Sequence, residues 1–374
     1  MRIAYDAKRA YHNSSGLGNY SRDLIRGMVQ HHPENEYLLL NPKKSDRLKE
    51  LDSLENVQEI RPKSWFWKKF SSLWRRFKLV KLAEKEKTEI FHGLSNELPS
   101  GIQYAKLKKV VTIHDLIFLR YPNWYPFIDK AIYYSKFKAA AQYADRVIAI
   151  SEQTKIDLIL FFGISQDKID VVYQTCHPAF KQDYAMAEKE RIRTKYSLPS
   201  KFVLQVGTIE PRKNLIYTLS SIKDLPDVQL VVIGRQTDYQ KEVDSFIQAH
   251  NLADRVHFIS VGPMEDLAVI YQLAHVFCYP SIFEGFGIPI IEALYSKVPV
   301  ITNKEGVFPE AAGPDSYYVD LAHSDEMKLL IQTLYEKEDL RKIGIDKSRT
   351  FVSKFDEAKI MADLDTVYKS LWKR

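Results

Sequence analysis

The feature that most constrains the fold is a regular alternation of short β-branched runs with helical patterns along all 374 residues. Several of the runs are apolar at every position, which is typical of parallel strands whose two faces are both covered by helices. The alternation therefore predicts an α/β fold built from doubly wound parallel sheets. The predicted strands are Arg2–Tyr5, Tyr37–Leu40, Val57–Ile60, Ile90–His92, Val110–Ile113, Arg146–Ile150, Ile169–Val172, Phe202–Val206, Gln229–Ile233, Val256–Ile259, Val276–Tyr279, Val298–Ile301 and Tyr317–Val319.

The length of the chain and one lapse in this alternation together predict two domains. A single domain is usually about half as long as this chain. Beyond Val172 the pattern gives way to a polar, charged stretch, so we place the boundary near residue 180. The domains are then residues 1–180 and 181–355, and the helical pattern in 356–374 predicts a C-terminal helix that can cross back to the N-terminal domain. Two such sheets facing each other would place their strand-end loops on opposite walls of one cleft.

Composition argues against several classes of protein. The longest nearly apolar stretches are Ile156–Ile164 and Ala268–Pro280, and both are shorter than the roughly 20 residues of a membrane-spanning helix. The charge of Asp6 would interrupt the apolar region of a signal peptide. Cys176 and Cys278 have no neighbouring cysteine, which argues against a disulfide framework or a zinc cluster. We therefore expect a protein of the reducing cytoplasm.

The net charge of +6 is unevenly distributed along the chain. Residues 1–175 carry 29 Lys and Arg against 20 Asp and Glu, whereas residues 176–374 carry 25 against 28. The N-terminal half is therefore strongly basic, and its electrostatics suit an anionic partner.

The strongest functional signal is a loop after the eleventh predicted strand, which reads PSIFEGFGIPIIEA over residues 280–293. Its glycines permit backbone shapes that other residues resist, and Pro289 suits the first turn of a helix. The amides around Phe286–Ile288 then point out of a helix N-terminus, where phosphate oxygens bind. Glu284 and Glu292 flank the turn, and their carboxylates fit the hydroxyls of a sugar and a ribose on either side of a diphosphate. An exposed loop with a helix-capping carboxylate is the alternative.

A second signal follows the predicted strand that ends at Val206, where the chain reads GTIEPRKNL over residues 207–215. Asn214 can cap the helix that follows. Arg212 and Lys213 are adjacent cations at the carboxyl end of a strand, where a diphosphate leaving group would develop charge. Such a pair alone more often marks a solvated turn. Its combination with the glutamate-flanked loop in the same sheet favours a binding site.

These two motifs resemble those of the retaining glycosyltransferases of family 4, which have the GT-B fold. The resemblance covers nearly the whole chain and is closest to bacterial mannosyltransferases and related transferases that build surface polysaccharides. It implies two Rossmann-like domains facing each other across a cleft, an N-terminal one for the acceptor and a C-terminal one for the nucleotide-sugar. It also implies no cofactor apart from the nucleotide-sugar co-substrate, for which GDP-mannose is the best match.

The N-terminal half adds a glycine-bearing loop and a His-Asp pair. Gly16 and Gly18 lie between the first predicted strand and a helical pattern at Ser21–Gln30. Their spacing is not GxGxxG, which counts against a dinucleotide cofactor, and in family 4 the matching loop closes over donor and acceptor. His114 and Asp115 follow the fifth predicted strand, and the family's matching histidine lies beside the donor sugar. A structural role for a lone histidine is the alternative.

The resemblance implies a role for each matching residue. Arg212 and Lys213 would hold the donor diphosphate. Glu284 would contact the donor sugar, and Glu292 would bind the ribose hydroxyls. The predicted catalytic residues are His114, Arg212, Lys213 and Glu284. The predicted donor-binding residues are Gly16, Gly18, Asp115, Gly207, Gly234, Ser281, Gly285, Phe286, Gly287, Ile288 and Glu292.

No dedicated nucleophile stands out, because neither cysteine lies in a motif and the chain has no G-x-S-x-G. Retaining enzymes of the family are generally argued to work by departure and attack on one face of the sugar, with the leaving phosphate accepting the acceptor's proton. Catalysis would then rest on positioning and electrostatic stabilisation. No Asp-x-Asp motif follows a predicted strand, so we predict a metal-independent reaction.

The segment Arg61–Ala83 is rich in basic and aromatic residues and contains no acidic one. Its apolar stripe at helical spacing predicts a basic amphipathic helix, a signature of attachment to an anionic membrane surface. Attachment would bring the active site to a lipid-linked acceptor. A helix that packs its stripe onto the sheet is the alternative, and no nucleic-acid motif accompanies the charge. The stripe consists of Phe66, Phe70, Leu73, Trp74, Phe77 and Val80.

We therefore interpret the chain as a retaining glycosyltransferase that moves a hexose, with mannose from GDP-mannose as the best match, onto a lipid-linked glycan. A transferase using a UDP- or dTDP-sugar (glucose, N-acetylglucosamine or rhamnose) is one alternative, and a sugar-nucleotide epimerase of the same fold is another. A non-enzymatic membrane-binding scaffold is a third, against which the intact Arg212, Lys213, Glu284 and Glu292 argue. We expect the protein in the cytoplasm, either free or peripherally on the cytoplasmic face of the inner membrane.

Overall fold

The computed structural model describes residues 1–372, apart from the side chains at positions 324, 343, 344 and 346–349. Along this part of the chain the strands are β1 (Arg2–Asp6), β2 (Glu36–Leu40), β3 (Val57–Ile60), β4 (Ile90–Gly93), β5 (Lys108–Ile113), β6 (Arg146–Ala149), β7 (Ile169–Val171), β8 (Val203–Val206), β9 (Leu230–Ile233), β10 (Val256–Ile259), β11 (Val276–Tyr279), β12 (Val300–Asn303) and β13 (Tyr317–Val319). All the strands predicted from the sequence are present, with ends that move by no more than two residues.

Helices connect almost every pair of consecutive strands. In the described part of the chain they are α1 (Lys8–His12), α2 (Gly16–His31), α3 (Trp65–Lys69), α4 (Ser71–Lys85), α5 (Ile117–Arg120), α6 (Phe127–Tyr143), α7 (Glu152–Phe162), α8 (Met186–Lys195), α9 (Leu215–Ile222), α10 (Gln240–Ala249), α11 (Met264–Leu273), α12 (Ile288–Tyr295), α13 (Phe308–Ala312), α14 (Ser324–Glu336), α15 (Glu338–Val352) and α16 (Glu357–Ser370).

The chain divides into two compact units, one of Met1–Thr175 with Asp356–Arg374 and the other of Cys176–Phe355. The division therefore falls a few residues before residue 180. Phe180 shows why, because its buried ring packs edge-on against Tyr271 of the second unit at 5.3 Å between centroids. Helix α16 belongs to the first unit.

Each unit contains one parallel sheet among the described residues. The strand order is β3-β2-β1-β4-β5-β6-β7 in the first unit and β10-β9-β8-β11-β12-β13 in the second. Every pair of neighbouring strands is parallel. The direction of winding reverses between β1 and β4 and between β8 and β11, and ligands of doubly wound sheets bind at such reversals.

Both faces of the first sheet are covered, as its all-apolar strands require. Successive residues of a strand point to opposite faces. Ala4 packs in the core beneath Trp74 and Ala83 of α4. Tyr5 points the other way, and its hydroxyl lies 3.2 Å from that of Tyr368 in α16. The C-terminal helix thus completes the face of the sheet opposite α4.

The start of helix α2 corrects one prediction from the sequence. The helix begins at Gly16 and not at Ser21, so Gly16 and Gly18 lie in its first turn instead of in a preceding loop. Gly18 is required by close packing, since a Cβ at this position would lie 2.0 Å from the carbonyl oxygen of Asn13.

The basic segment also differs from its prediction as one amphipathic helix. The chain leaves the helical region at Phe70, which separates α3 from α4. Trp74 and Val80 are buried beneath the sheet, so the predicted stripe is split between core and surface. The side chains that stay exposed are Trp65, Phe66, Phe70, Leu73 and Phe77. None of the described helices combines the length and the apolar character needed to cross a bilayer.

Candidate active site

The two motifs singled out in the sequence meet where the second sheet reverses its winding. Strands β8 and β11 are neighbours, with Val203 opposite Val276. The chain leaves β8 through a 3-10 turn at Pro211–Lys213, and it leaves β11 through the glycine-bearing loop. The amide of Ile282 donates to the carbonyl of Arg212 at 2.9 Å, which ties the two loops together.

Four charged side chains form one cluster at this point. Lys213 Nζ lies 2.6 Å from Glu284 Oε1, and Arg212 Nη1 lies 2.5 Å from Glu284 Oε2. Arg212 Nη2 also donates to Glu210 Oε1 at 2.6 Å. The hydroxyl of Tyr279 accepts from Lys213 Nζ at 2.5 Å and donates to Glu284 Oε1 at 3.2 Å. Two cations are therefore held by two carboxylates and one phenol.

The electrostatics keep Glu284 and Arg212 ionised at neutral pH, whereas burial lowers the pKa of Lys213. Glu284 is only 8% exposed, and burial alone would raise its pKa, but Lys213 and Arg212 outweigh burial and lower that pKa to about 2. Burial opposes the charge of Arg212 as well, yet Glu284 and Glu210 raise its pKa above the ordinary value. A guanidinium has five N–H donors and an ammonium three, so both cations keep donors beyond those bound to the carboxylates.

Glycines shape the backbone around the cluster. Gly207 has a φ of +148°, a conformation that side-chain-bearing residues resist. A Cβ on Gly234 would lie 1.8 Å from the carbonyl oxygen of Gly207, so these two strand ends touch backbone to backbone. Gly287 has a φ of +113° and precedes α12, whose first turn contains a proline as predicted. Asn214 makes no side-chain cap and instead adopts a positive φ of 54°, so the predicted capping role is wrong.

The remaining loop residues surround the start of α12. Glu292 is buried within that helix, and its Oε2 accepts from the hydroxyl of Tyr271 at 2.9 Å. The ring of Tyr271 packs on Phe277, which in turn stacks on Tyr279 beside the charged cluster. Ser281 is buried, and its backbone carbonyl accepts a hydrogen bond from the side-chain Nδ2 of Asn303 at 3.3 Å. Gly285 and Phe286 lie between Glu284 and Gly287, and Ile288 is the first residue of this helix.

His114 and Asp115 lie in the first unit, after β5. His114 is 4% exposed, and its Nε2 donates to the carbonyl of Leu94 at 2.9 Å, which places the ring proton on that nitrogen. Burial lowers the pKa of His114 to about 4, and the nearby charge of Arg9 acts in the same direction. The imidazole is therefore neutral at pH 7. Asp115 accepts from the amide of Ile117 at the start of α5.

The structure thus brings three of the four predicted catalytic residues, Arg212, Lys213 and Glu284, into direct contact, and it places Gly207 and Gly234 beside them. Gly16, Gly18, His114 and Asp115 belong to the other unit. The sequence motifs did not indicate Tyr279 or the ionic role of Glu210. Tyr279 is the last residue of a strand that precedes a functional loop, and that position was the available signal.

One group of potential metal ligands is found among the described residues, and it lies outside this cluster. His32, Glu34 and Asp365 have ligand atoms within 4.8 Å of one another, where α2 ends beside α16. Glu34 is exposed, and none of the three follows a strand. These residues do not contribute to the charged cluster of the second unit.

Comparison with known proteins agrees with this geometry. Residues 14–178 match glycosyltransferase family 4, and residues 187–351 match the glycosyl transferases group 1. The O-antigen chain mannosyltransferase B of Escherichia coli is 23% identical over 99% of this chain and 100% of that protein. The O-antigen chain mannosyltransferase RfbU of Salmonella typhimurium is 26% identical over 66% of this chain and 65% of that protein. The crystal structure of Anabaena HepE in complex with UDP-glucose superposes with a TM-score of 0.77 at 17% identity, covering 99% of this chain and 100% of that one.

The two matches together account for both units and for the motifs at their strand ends. The chain belongs to the family 4 glycosyltransferases, and its α/β fold is that of the GT-B enzymes. The prediction of a glycosyltransferase from the sequence is confirmed.

Proposed function

We propose that this enzyme transfers mannose from GDP-mannose, with retention of configuration and without a metal ion, to a lipid-linked glycan in surface polysaccharide assembly. The observation that carries the proposal is the cluster of Arg212, Lys213 and Glu284 at the reversal of the second sheet. The two cations have N–H donors left for the oxygens of a diphosphate. The ionised carboxylate can accept hydrogen bonds from the hydroxyls of a sugar.

The donor would bind with its diphosphate against this cluster. Unused N–H groups of Arg212 and Lys213 would take its oxygens, together with amides at the start of α12. The solved complex of HepE with UDP-glucose supports a nucleotide-sugar for a chain of this fold. The choice of mannose follows the similarity of this chain to two O-antigen mannosyltransferases. Glu292 would accept hydrogen bonds from the ribose hydroxyls.

In the proposed reaction, the bond between the anomeric carbon and the phosphate oxygen breaks as the acceptor oxygen bonds to the same face of that carbon. The acceptor's proton passes to the departing phosphate oxygen, so the leaving group is GDP. Arg212 and Lys213 would stabilise the charge that develops on the diphosphate, which is where electrostatic catalysis acts. Neutral His114 would hydrogen-bond a donor hydroxyl and not act as a cationic acid.

The enzyme would work in the cytoplasm, on the inner face of the membrane. The exposed apolar side chains of α3, of α4 and of Phe70 between them would enter the lipid interface. A groove of about 690 Å³ beside them is lined by Glu59, which pairs with Arg61 at 3.3 Å, and by five basic side chains, which suit anionic headgroups. These are Lys43, Lys44, Arg61, Lys63 and Lys68.

A nucleotide-sugar panel tests the donor assignment. Thermal shifts would be measured with GDP-mannose, UDP-glucose, UDP-N-acetylglucosamine and dTDP-rhamnose, followed by transfer assays with and without EDTA and by NMR of the product's anomeric centre. We expect the largest shift with GDP-mannose, full activity in EDTA and an α-linked product from the α-linked donor. Turnover of the donor without any acceptor would identify an epimerase instead.

The variant Glu284→Ala tests the site within the same assay. Removing a carboxylate that binds both cations and the sugar should lower the transfer rate by about a hundredfold or more. Lys223→Ala removes an exposed lysine of the same unit and serves as the matched control. Transfer by Glu284→Ala at the native rate would refute the catalytic assignment.

A further inference from the structure

A histidine and two carboxylates of the first unit lie together where α2 ends beside α16. His32 Nδ1 is 3.3 Å from Glu34 Oε1 and 3.9 Å from Asp365 Oδ1. Glu34 comes two residues before the first residue of β2, so the group lies at the amino ends of the strands. Substrates of parallel sheets bind outside the carboxyl ends. The group therefore lies at the edge of the sheet opposite to the loops that bind substrates.

The spacing of the three atoms suits one divalent metal ion. Zinc binds imidazole nitrogen and carboxylate oxygen at about 2.0–2.2 Å, usually with tetrahedral geometry, so two of its ligand atoms are about 3.4 Å apart. Both distances from His32 Nδ1 are close to this value, and all three atoms lie within 4.8 Å of one another. An ion between them would need only small shifts of the side chains, and the two carboxylates would balance its charge.

The carboxylate of Asp365 gives a second observation that points to a ligand at this place. The side chain is only 6% exposed, and among the described residues no group forms a hydrogen bond with its Oδ1. A buried carboxylate oxygen is ordinarily satisfied by a protein donor, an ordered water or an ion. Lys369, one turn further along α16, binds the other oxygen, Oδ2, at 2.5 Å. Oδ1, the atom that faces His32, is therefore the one left for a ligand.

The backbone of His32 is held in place by three hydrogen bonds. The residue ends α2, and its amide donates to the carbonyl of Met28 at 2.9 Å. Its own carbonyl accepts from the buried hydroxyl of Tyr37 at 2.8 Å and from the amide of Asn35 at 3.1 Å. Metal sites depend on surroundings that orient their ligands in this way.

The types of ligand narrow the choice of ion. An imidazole nitrogen suits zinc and other transition metals, whereas magnesium and calcium prefer oxygen ligands. Glu34 is exposed, so water can reach an ion bound beside it. Three protein ligands and one water fill the four positions of a zinc tetrahedron.

We propose that His32, Glu34 and Asp365 bind a Zn²⁺ ion that fastens the C-terminal helix α16 to the end of α2. The chain enters α16 only after it has completed the second unit, so the ion links segments that are far apart in the sequence. The two helices already pack closely, since a Cβ on Gly27 of α2 would lie 2.8 Å from the sulfur of Met361 of α16. The ion takes no part in the transfer reaction proposed above, and neither proposal rests on the other.

Calorimetry with ZnCl₂ tests the site on protein that has been dialysed against EDTA and then against metal-free buffer. We expect Zn²⁺ to bind, and Mg²⁺, the comparison probe, to bind about a hundredfold more weakly or not at all. Zn²⁺ should also raise the melting temperature and slow hydrogen exchange of the α16 amides, because it binds only the folded unit. Absence of Zn²⁺ binding would leave the three side chains as an ion-paired cluster, and equal binding of Mg²⁺ would exclude the imidazole as a ligand. Either outcome overturns the proposal.

Variants show whether the ion binds at these residues. His32→Gln and Asp365→Asn should each weaken Zn²⁺ binding by about a hundredfold, since a lost ligand costs at least as much as a lost outer partner of a ligand. His31→Gln, which removes a neighbouring histidine that pairs with Glu357 instead, is the matched control and should bind Zn²⁺ as the native protein does. Native GDP binding by all three shows that they fold.

Zn²⁺ binding that survives in both His32→Gln and Asp365→Asn would be adventitious and would overturn the site. Binding that is lost in His31→Gln and kept in His32→Gln would place the ion elsewhere, with the same consequence. Because we expect the same rate of transfer with and without EDTA, a failure of the zinc site leaves the donor assignment intact, and a failure of the donor assignment leaves the zinc site intact.

Discussion

The ammonium of Lys213 lies 2.6 Å from the carboxylate of Glu284, although 71 residues separate them in the sequence. They meet because β8 and β11 are neighbours in the second sheet. Both side chains are largely buried, at 12% and 11% exposure. Removing one member of a buried pair leaves the other without compensation, which costs more than the pair itself contributes. The contact is therefore sensitive to the loss of either partner, and it lies at the donor site proposed above.

Replacing Lys213 by alanine should weaken GDP binding by about ten- to a hundredfold, because a charge-assisted contact to the diphosphate is lost and Glu284 then faces the phosphates with only Arg212 to offset it. Calorimetry with GDP measures the effect. Lys223→Ala should bind GDP as the native enzyme does. Native affinity in Lys213→Ala would show that the diphosphate does not bind at this cluster.

Tyr279→Phe should cost about 1–3 kcal/mol of stability in the second unit, because Lys213 loses a buried hydrogen-bond acceptor. The ring itself stays, so its packing on Phe277 is preserved. Chemical denaturation followed by hydrogen exchange in β11 would report the loss. Phe277→Leu, which changes packing without touching the charges, separates the two causes. A Tyr279→Phe enzyme of native stability would contradict the hydrogen-bond role.

Gly234→Ala should destabilise the second unit by about 3 kcal/mol or more, since the added Cβ would lie 1.8 Å from the carbonyl oxygen of Gly207. Gly262→Ala, in the same unit, adds a Cβ with nothing within 4 Å and should be nearly neutral. Thermal unfolding of the two variants gives the comparison. Equal melting temperatures would mean that the strand ends can separate at little cost.

The stability of the first unit should fall as the pH drops below 6.5. Burial lowers the pKa of His92 to about 3 and that of His114 to about 4. The unfolded chain therefore binds protons that the folded unit excludes, and stability present above pH 6.5 is lost as the pH falls through the folded values. The loss is about 2 kcal/mol for each histidine between pH 6.5 and pH 5.

Hydrogen exchange of the β4 and β5 amides at several pH values measures this dependence in the first unit alone. His92→Gln should flatten the slope whatever its effect on absolute stability, since glutamine does not titrate. His250, which is exposed on the second unit, provides the control variant His250→Gln with an unchanged slope. A slope that is identical in native protein and His92→Gln would contradict the buried-neutral assignment.

Phe66→Ser and Phe77→Ser should each weaken binding to vesicles of phosphatidylethanolamine and phosphatidylglycerol by roughly tenfold, the effect of about 1.5 kcal/mol of lost apolar burial. Binding should also weaken as salt is added, because headgroup attraction is screened. Leu160→Ser removes an exposed apolar side chain elsewhere on the first unit and serves as the control. Co-sedimentation that is equal for all three variants would exclude this face as the contact.

The sequence was sufficient to predict which segments form strands and which form helices, because this depends on the local pattern of apolar residues. Runs such as Val276–Tyr279 are apolar at every position, and this alone indicates a doubly covered parallel strand. The helix start at Gly16 could not be predicted, because glycine has a low helix propensity and Gly16 and Gly18 therefore indicate a loop. The split of the aromatic stripe could not be predicted either, because helical spacing does not show which side chains of a stripe the sheet covers.

The sequence by itself determined the two sheets, the positions of the loops that follow their strands, and the residue types offered for binding a diphosphate. Only the tertiary structure decided which of those residues touch. The order of strands sets Glu284 against Lys213 and Arg212. Strand order depends on how the helices pack on both faces of each sheet. Residues that are distant in the sequence become neighbours only through that order.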